Sequence, residues 1–343
     1  MSEPILIWGA GAIGGILGAY WARSGEDVLL VDIQAEHVAA CREQGLAISG
    51  PVESFRQRVP AVTPDQLTGR YSRVVLAVKA QHTAGAVRQL APHLAHDGYV
   101  VSAQNGLNEL EIASVVGAPR TVGAFVNFGA DWHGPGEILY GNRGAVVVGE
   151  IDGEIRSRTR EMHWLFKLFE PDAVLSDEIW RYLWGKLGYG AMLFATALTM
   201  DSMADNFADP ARVPIFIALG REVMAVARAR GVEARGFNGF EPDAFVPGAP
   251  VQAARESIAR LAEFNRHTAK THSGIWRDLA VRKRSTEVDA QLGIVDRLGR
   301  EVGVDTPLIR RLVALVHEVE AGRQEQSLAT LMTLAEGLSD RNL

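Results

Sequence analysis

The segment Gly9-Ala10-Gly11-Ala12-Ile13-Gly14 lies between an apolar run, Ile5–Trp8, and a stretch of small residues that includes Gly15, Gly18, Ala19 and Ala22. This is a G-x-G-x-x-G pattern in the context that makes it specific: strand, tight turn, helix, then a second apolar run from Val28. Gly9 would permit the turn, Gly11 would let backbone approach a pyrophosphate, and Gly14 would let the helix lie close to the sheet. The phosphates would then sit on free N–H groups around Ala12 and Ile13, at a helix N-terminus whose dipole favours negative charge. Asp32 ends the second run, eighteen residues after Gly14. A carboxylate there accepts hydrogen bonds from both ribose hydroxyls and repels a 2′-phosphate. No Arg or Lys follows within Ile33–Val38 to receive such a phosphate. The expected cofactor is therefore NAD(H) in preference to NADP(H); the other use for Asp32 is to cap the next turn.

Other reactive residue types offer less. The single cysteine, Cys41, can form neither an intramolecular disulfide nor a thiolate metal site, which fits a reducing cytosol. Glu263, His267 and His272 are close in sequence but too few for a firm zinc site, so no metal is expected. The run Arg277–Arg284 is basic, but the formal net charge is −6. That run reads as a solvated helix face or an anion-attracting rim, and no nucleic-acid partner is expected. No basic segment precedes an apolar core at the N-terminus, and Leu187–Met200 is too short for a membrane span. A soluble, cytoplasmic protein is expected.

The elements that must position these residues follow from periodicity. A chain of 343 residues exceeds one ordinary core, so two domains are expected. Short apolar runs alternate with amphipathic ones through the first 150 residues, the rhythm of βαβ units around a parallel sheet. Strands are predicted at Ile5–Trp8, Val28–Asp32, Val74–Val78, Tyr99–Ser102 and Val122–Asn127. Helices are predicted at Ile13–Ser24, Ala35–Glu43, Thr83–Ala91 and Glu109–Val116. Glu137–Tyr140 and Ala145–Val148 flank Gly141–Gly144 and read as a hairpin. After a helix ending at Phe169 and a short strand at Ala173–Leu175, the period becomes helical: Glu178–Met200, Val213–Arg230, Val251–Ala269, Glu287–Val302 and Thr306–Glu320. The fold class is thus α/β, a Rossmann-type parallel-sheet domain over residues 1–175 followed by an all-α domain over 176–343. Phe237–Pro250, rich in Gly and Pro, reads as a loop, either a lid over the site or a plain insertion.

Four further motifs follow the glycine-rich turn in order. Val74–Lys79 ends an apolar run in a lysine, and Gln104-Asn105-Gly106 follows the next strand. Trp184-Gly185-Lys186 opens the most apolar helix, and Thr286-Glu287-Val288-Asp289 opens another. Together with the glycine-rich turn, and across essentially the whole chain, these resemble the ketopantoate reductase family (2-dehydropantoate 2-reductases). The resemblance implies hydride transfer from nicotinamide C4 to the ketone of a 2-keto acid, giving a 2-hydroxy acid. It assigns Lys186 as the catalytic lysine, Asn105 to the nicotinamide and substrate, Lys79 to the cofactor, and Glu287 to the nicotinamide ribose and the lysine. A lysine suits this work, since partial burial lowers its pKa so that it can stabilise an alkoxide and donate a proton. A homodimer through the helical domain is also expected.

The chain departs from the family pattern in its substrate pocket. Asparagines one and two turns after the lysine would hold substrate; here Gly190 and Phe194 stand there. Of the serine pair before the last motif only Ser273 remains, in His272-Ser273-Gly274-Ile275-Trp276, and Asp278 to Glu287 is one residue longer than usual. A less polar pocket points away from pantoate and towards aromatic or branched 2-keto acids. The alternatives are an NAD-dependent D-2-hydroxyacid dehydrogenase, or dehydrogenase of another alcohol, and an NAD(P)-binding sensor without catalysis. Retention of Lys186 and Glu287 speaks against the sensor.

Overall fold

A computed structural model of the protein describes residues 3–268 and 270–338. The chain divides into two compact units, Met1–Ile179 and Trp180–Leu343. The strands of the first are β1 (Ile5–Trp8), β2 (Val28–Val31), β3 (Leu46–Ser49), β4 (Phe55–Gln57), β5 (Ala61–Val62), β6 (Tyr71–Leu76), β7 (Leu94–Ser102), β8 (Thr121–Val126), β9 (Gly129–Gly134), β10 (Glu137–Asn142), β11 (Val146–Glu150) and β12 (Val174–Leu175). Its helices are α1 (Ala12–Arg23), α2 (Ala35–Glu43), α3 (Thr83–Leu90), α4 (Asn108–Val116) and α5 (Ser157–Phe169).

Eight strands form one sheet in the order β12-β11-β8-β7-β6-β1-β2-β5. Pairing is parallel throughout, except that β11 runs antiparallel to β8. Alternate residues of β1 enter different cores. Ile5 and Ile7 pack with α1 residues such as Ile16 and Leu17 and α5 residues such as Leu165 and Phe166. Leu6 and Trp8 pack with Ala86, Val87 and Leu90 of α3 and Ile112 of α4. Burial on both faces is why these strands are continuous apolar runs instead of alternating ones. Crossovers through helices bring the strands' carboxyl ends, and the loops after β1, β2, β6 and β7, to one edge, where ligands bind in such sheets.

A second, four-stranded sheet in the order β4-β3-β10-β9 was not foreseen, and it corrects the expected hairpin over 137–148. β10 pairs antiparallel with β9 upstream, through the Pro135-Gly136 turn, while β11 leaves to join the main sheet beside β8. Gly136 has a φ of 75°, the left-handed conformation that Pro-Gly turns use. Gly141–Gly144 is the passage between sheets, and a Cβ at Gly144 would stand 2.1 Å from the Asn127 carbonyl oxygen.

The second unit is helical in its described residues: α6 (Ile179–Thr196, beginning at the end of the first unit), α7 (Met203–Ala208), α8 (Val213–Ala229), α9 (Val251–Arg266), α10 (Gly274–Ala280), α11 (Ile294–Glu301), α12 (Pro307–Glu320) and α13 (Leu328–Met332). A π turn over Asp289–Gly293 leads into α11. Ala269, expected to close the helix from Val251, lies outside the described residues, as do the last five residues of the chain. The Phe237–Pro250 segment is held into the unit and is not free to lift as a whole, because Phe240 and Phe245 are fully buried and their rings stack 5.1 Å apart. Glu222 of α8 caps α12, its two carboxylate oxygens accepting from the Leu308 and Ile309 N–H groups at 2.8 Å each. Among the described residues no helix is long and apolar enough to cross a membrane.

Candidate functional site

The glycine-rich turn lies between β1 and α1. Gly9 has a φ of 100°, and a Cβ there would stand 2.8 Å from backbone atoms of Ala77 and Val78. A Cβ at Gly14 would fall 2.0 Å from the Gly9 carbonyl oxygen, whereas one at Gly11 would meet nothing within 4 Å. Two glycines are thus required for packing, and the third leaves its space open. Gly11 is the N-cap of α1 and supplies no side-chain acceptor, and the first turn holds no acidic residue. The N–H groups around Ala12 and Ile13 are therefore not capped by a side chain of the turn, as an anion site requires. Asp32 braces the turn: its Oδ2 accepts from Ala10 N–H at 2.9 Å and its Oδ1 from Gln34 N–H at 3.0 Å. Each oxygen retains a second acceptor site. Ile33, Gln34, Ala35 and Glu36 beyond it are exposed and include no cation. These residues fit a dinucleotide.

His37 was not singled out from the sequence. It is buried in α2, where its Nε2 meets the Ala10 carbonyl oxygen at 2.8 Å. Its Nδ1 accepts from Gly136 N–H at 3.0 Å and lies 3.4 Å from Trp132 Nε1. With Nδ1 accepting, the network assigns the ring hydrogen to Nε2. The imidazole thus ties the nucleotide turn to the second sheet, a role invisible without the long-range pairing. Cys41 is buried beside it, its thiol pushed up to about 12 by burial, which makes it inert as a nucleophile.

The loops after β6 and β7 meet through a second network. Gln104 Nε2 donates to the Val78 carbonyl and the Thr83 hydroxyl, both at 2.8 Å. Thr83 donates to Asn108 Oδ1 at 2.8 Å, and Asn108 Nδ2 donates to the Asn105 carbonyl at 2.6 Å. Asn105 itself is half-buried, three residues beyond β7, and its backbone is held while its amide is left for other partners. Lys79 does not end a strand as expected: β6 stops at Leu76, and Lys79 is exposed at the start of a 3-10 turn. Glu109, next to Asn108, is fully buried, and among the described residues neither carboxyl oxygen has a hydrogen-bond partner. Burial pushes its pKa up to about 8, against opposition from its own backbone and from Ser102. The nearby Ser102 hydroxyl donates instead to Gln104 Oε1 at 3.5 Å.

The remaining candidates sit in the helical unit. Lys186 lies about two turns inside α6 and not at its start, beyond the first turn where the helix dipole acts. The side chain as a whole is half-buried, yet burial around the ammonium lowers its pKa to about 8. The Glu287 carboxylate opposes the fall and the Lys270 ammonium adds to it. Glu287 is buried two residues before the start of the π turn. Gly190 stands one turn after Lys186 on α6. Phe194 is 0% exposed and lies within the helical core. Ser273 is buried as the N-cap of α10, its Oγ accepting from Trp276 N–H at 3.1 Å. His272 stacks on Trp276 with ring centroids 4.1 Å apart, and His267 meets Glu263 at 2.8 Å on the surface. Two arginines of the basic run, Arg282 and Arg284, both pair with the buried Asp278.

Comparison with known proteins bears on both units. Residues 5–153 match the family model described as Ketopantoate reductase PanE/ApbA, and residues 178–320 match that of its C-terminal domain. A 2-dehydropantoate 2-reductase of Mesorhizobium japonicum is 28% identical, the alignment covering 93% of this chain and 98% of the relative. Among solved structures, a PanE/ApbA family ketopantoate reductase from Ralstonia eutropha superposes with a TM-score of 0.78 at 26% identity, over 93% of this chain and 99% of that one. A D-mandelate dehydrogenase bound to NADH and anilino(oxo)acetate has the same fold, with a TM-score of 0.78 at 24% identity over the same shares.

Proposed function

Because this chain belongs to the ketopantoate reductase family, oxidoreductases acting on CH–OH donors, we propose that it reduces a 2-keto acid to the 2-hydroxy acid with NADH, with Lys186 as general acid. The observation that carries this reading is the Lys186 ammonium, desolvated inside α6 to a pKa of about 8 and set against the Glu287 carboxylate. Residues 1–175 would hold the nucleotide and residues 176–343 the substrate. When bound, the dihydronicotinamide supplies a hydride to the keto carbon. The alkoxide that develops needs a proton and a nearby positive charge, and the Lys186 ammonium supplies both. Glu287 keeps that ammonium protonated near neutral pH. Asn105, with both a donor and an acceptor on its amide, would orient the carboxamide side of the cofactor and the substrate. Lys79, exposed at the carboxyl edge of the sheet, would attract the cofactor's phosphates.

The preference for NADH rests on Asp32 and on the exposed, cation-free segment that follows it. Gly190, which removes a side chain next to the lysine, favours a substrate bulkier or less polar than ketopantoate. A panel of pyruvate, 2-ketoisovalerate, phenylpyruvate, benzoylformate and ketopantoate, each with NADH and NADPH, tests the proposal. One of the larger acids should turn over fastest, with NADH. Lys186→Ala should lose about 10²–10⁴ in kcat, the usual contribution of general acid catalysis. Equal turnover by the two proteins would remove Lys186 from the chemistry. Nucleotide binding without turnover of any acid would favour the non-catalytic sensor.

A further inference from the structure

Gly190 follows Lys186 by one turn of α6, and Gln291 follows Glu287 by one turn of the facing segment, where Gln291 N–H donates to the Glu287 carbonyl at 2.9 Å. Residues four apart share a helix side. The positions face each other across the gap as well. Lys186 and Glu287 interact through charge, and a Cβ at position 190 would meet one heavy atom within 4 Å, Gln291 Oε1 at 3.7 Å. A charged pair therefore stands beside a second pair, a glycine opposite a carboxamide. Gln291 is only 7% exposed, and among the described residues no hydrogen bond to its side chain is seen. Its amide atoms are not among the sealed, unpartnered polar atoms of the interior, so the group stays open to a partner from outside. Its turn is also irregular: the Ile294 N–H reaches back five residues to the Asp289 carbonyl, a π arrangement that recurs at functional sites.

We propose that Gln291 is a specificity-determining residue: turning its amide about the last side-chain torsion replaces the Oε1 that faces Gly190 with Nε2, which donates to the carboxylate of the 2-keto acid, while the missing side chain at Gly190 keeps that face open. This rests on the 2-keto acid reductase reading above. An anionic group is repelled by Glu287, and one turn further along, a rise of about 5.4 Å, it meets an uncharged donor. The amide that the family pattern would place at position 190 is in this way provided from the opposite side.

The test uses the full-length protein, NADH, the best 2-keto acid of the panel and the corresponding 2-ketoamide. Gln291→Leu should raise KM for the acid roughly 10- to 100-fold, the worth of a hydrogen bond to a charged group, with kcat within a few-fold of wild type. Gln291→Glu should raise it further for the acid but much less for the uncharged ketoamide. Adding Gly190→Asn to Gln291→Leu should recover part of the loss, since the new amide would occupy the same space. Circular dichroism and NADH binding verify folding, and Gln291→Met replaces any variant that fails. An unchanged KM in a folded Leu or Met variant, or equal losses for acid and ketoamide, overturns the role of Gln291 alone. A wild type that reduces no 2-keto acid overturns the reductase reading as well.

Discussion

Lys186 and Glu287 set the pH range in which the proposed proton transfer works. As the donor, Lys186 must be protonated, and its pKa lies near 8. kcat/KM for keto acid reduction should therefore be flat towards neutral pH and fall tenfold per pH unit above about 8. Oxidation of the hydroxy acid needs the free amine and should rise through the same range. Glu287 holds the lysine's pKa up, so Glu287→Gln should shift both limbs to lower pH. Unmoved limbs in pH–rate profiles of that variant would mean that the pair is not coupled in the reaction. At this scale the sequence was informative where a residue type and its spacing carry their own chemistry, as with Asp32 and the glycines, whereas Lys186 and Glu287 stood out through the family resemblance. His37, Asn108 and Gln291 gave no such signal, because an ordinary polar residue acquires a role only from what it faces.

At the scale of elements, the β1–α1 unit makes a distinction that substitution can read. A Cβ at Gly14 would collide with the Gly9 carbonyl oxygen, a backbone atom that cannot move aside cheaply. Gly14→Ala should cost about 1–3 kcal/mol of stability and weaken NADH binding with it. Gly11 has a φ of −67° and open space where its Cβ would go. Gly11→Ala should leave stability within about 0.5 kcal/mol of wild type and still weaken NADH binding, since the methyl group would stand where a pyrophosphate must approach. Denaturant melts paired with NADH titrations separate the two; tight binding by Gly11→Ala would displace the phosphates from this turn. The strands of the main sheet were legible because both faces are buried and their apolar runs are unbroken. β3, β4, β5 and β9 were not: β3, β4 and β5 are only two to four residues long, and β9 is half-exposed along its length, so each is defined by its partner and not by an apolar run of its own.

For the molecule as a whole, Glu109 makes stability depend on pH. Its carboxyl is protonated in the folded state up to about pH 8 and ionises near 4.5 when unfolded. Between those values the unfolded chain has released a proton that the folded one keeps. Stability therefore falls as pH rises from about 4.5, and the full cost is reached above 8. At pH 7 the linkage amounts to something on the order of 3 kcal/mol. Glu109→Gln has no proton to lose and should be more stable at pH 7 and 8.5, with the advantage gone near pH 4. Urea midpoints across that range decide it, and parallel curves for the two proteins would show that the carboxyl is solvated.

Local chain chemistry settled a good deal in advance: the glycine-rich turn, the alternation that builds a parallel sheet, and the change to helical period. Each depends on residues within a few positions of one another, where backbone geometry alone dictates the outcome. Contacts between distant segments settled the rest. Gln291 faces Gly190 from a hundred residues away, His37 fastens Ala10 to Gly136, and β10 prefers β9 and β3 to β11. No window of sequence encodes such pairings, because their energies exist only after folding has brought the partners together.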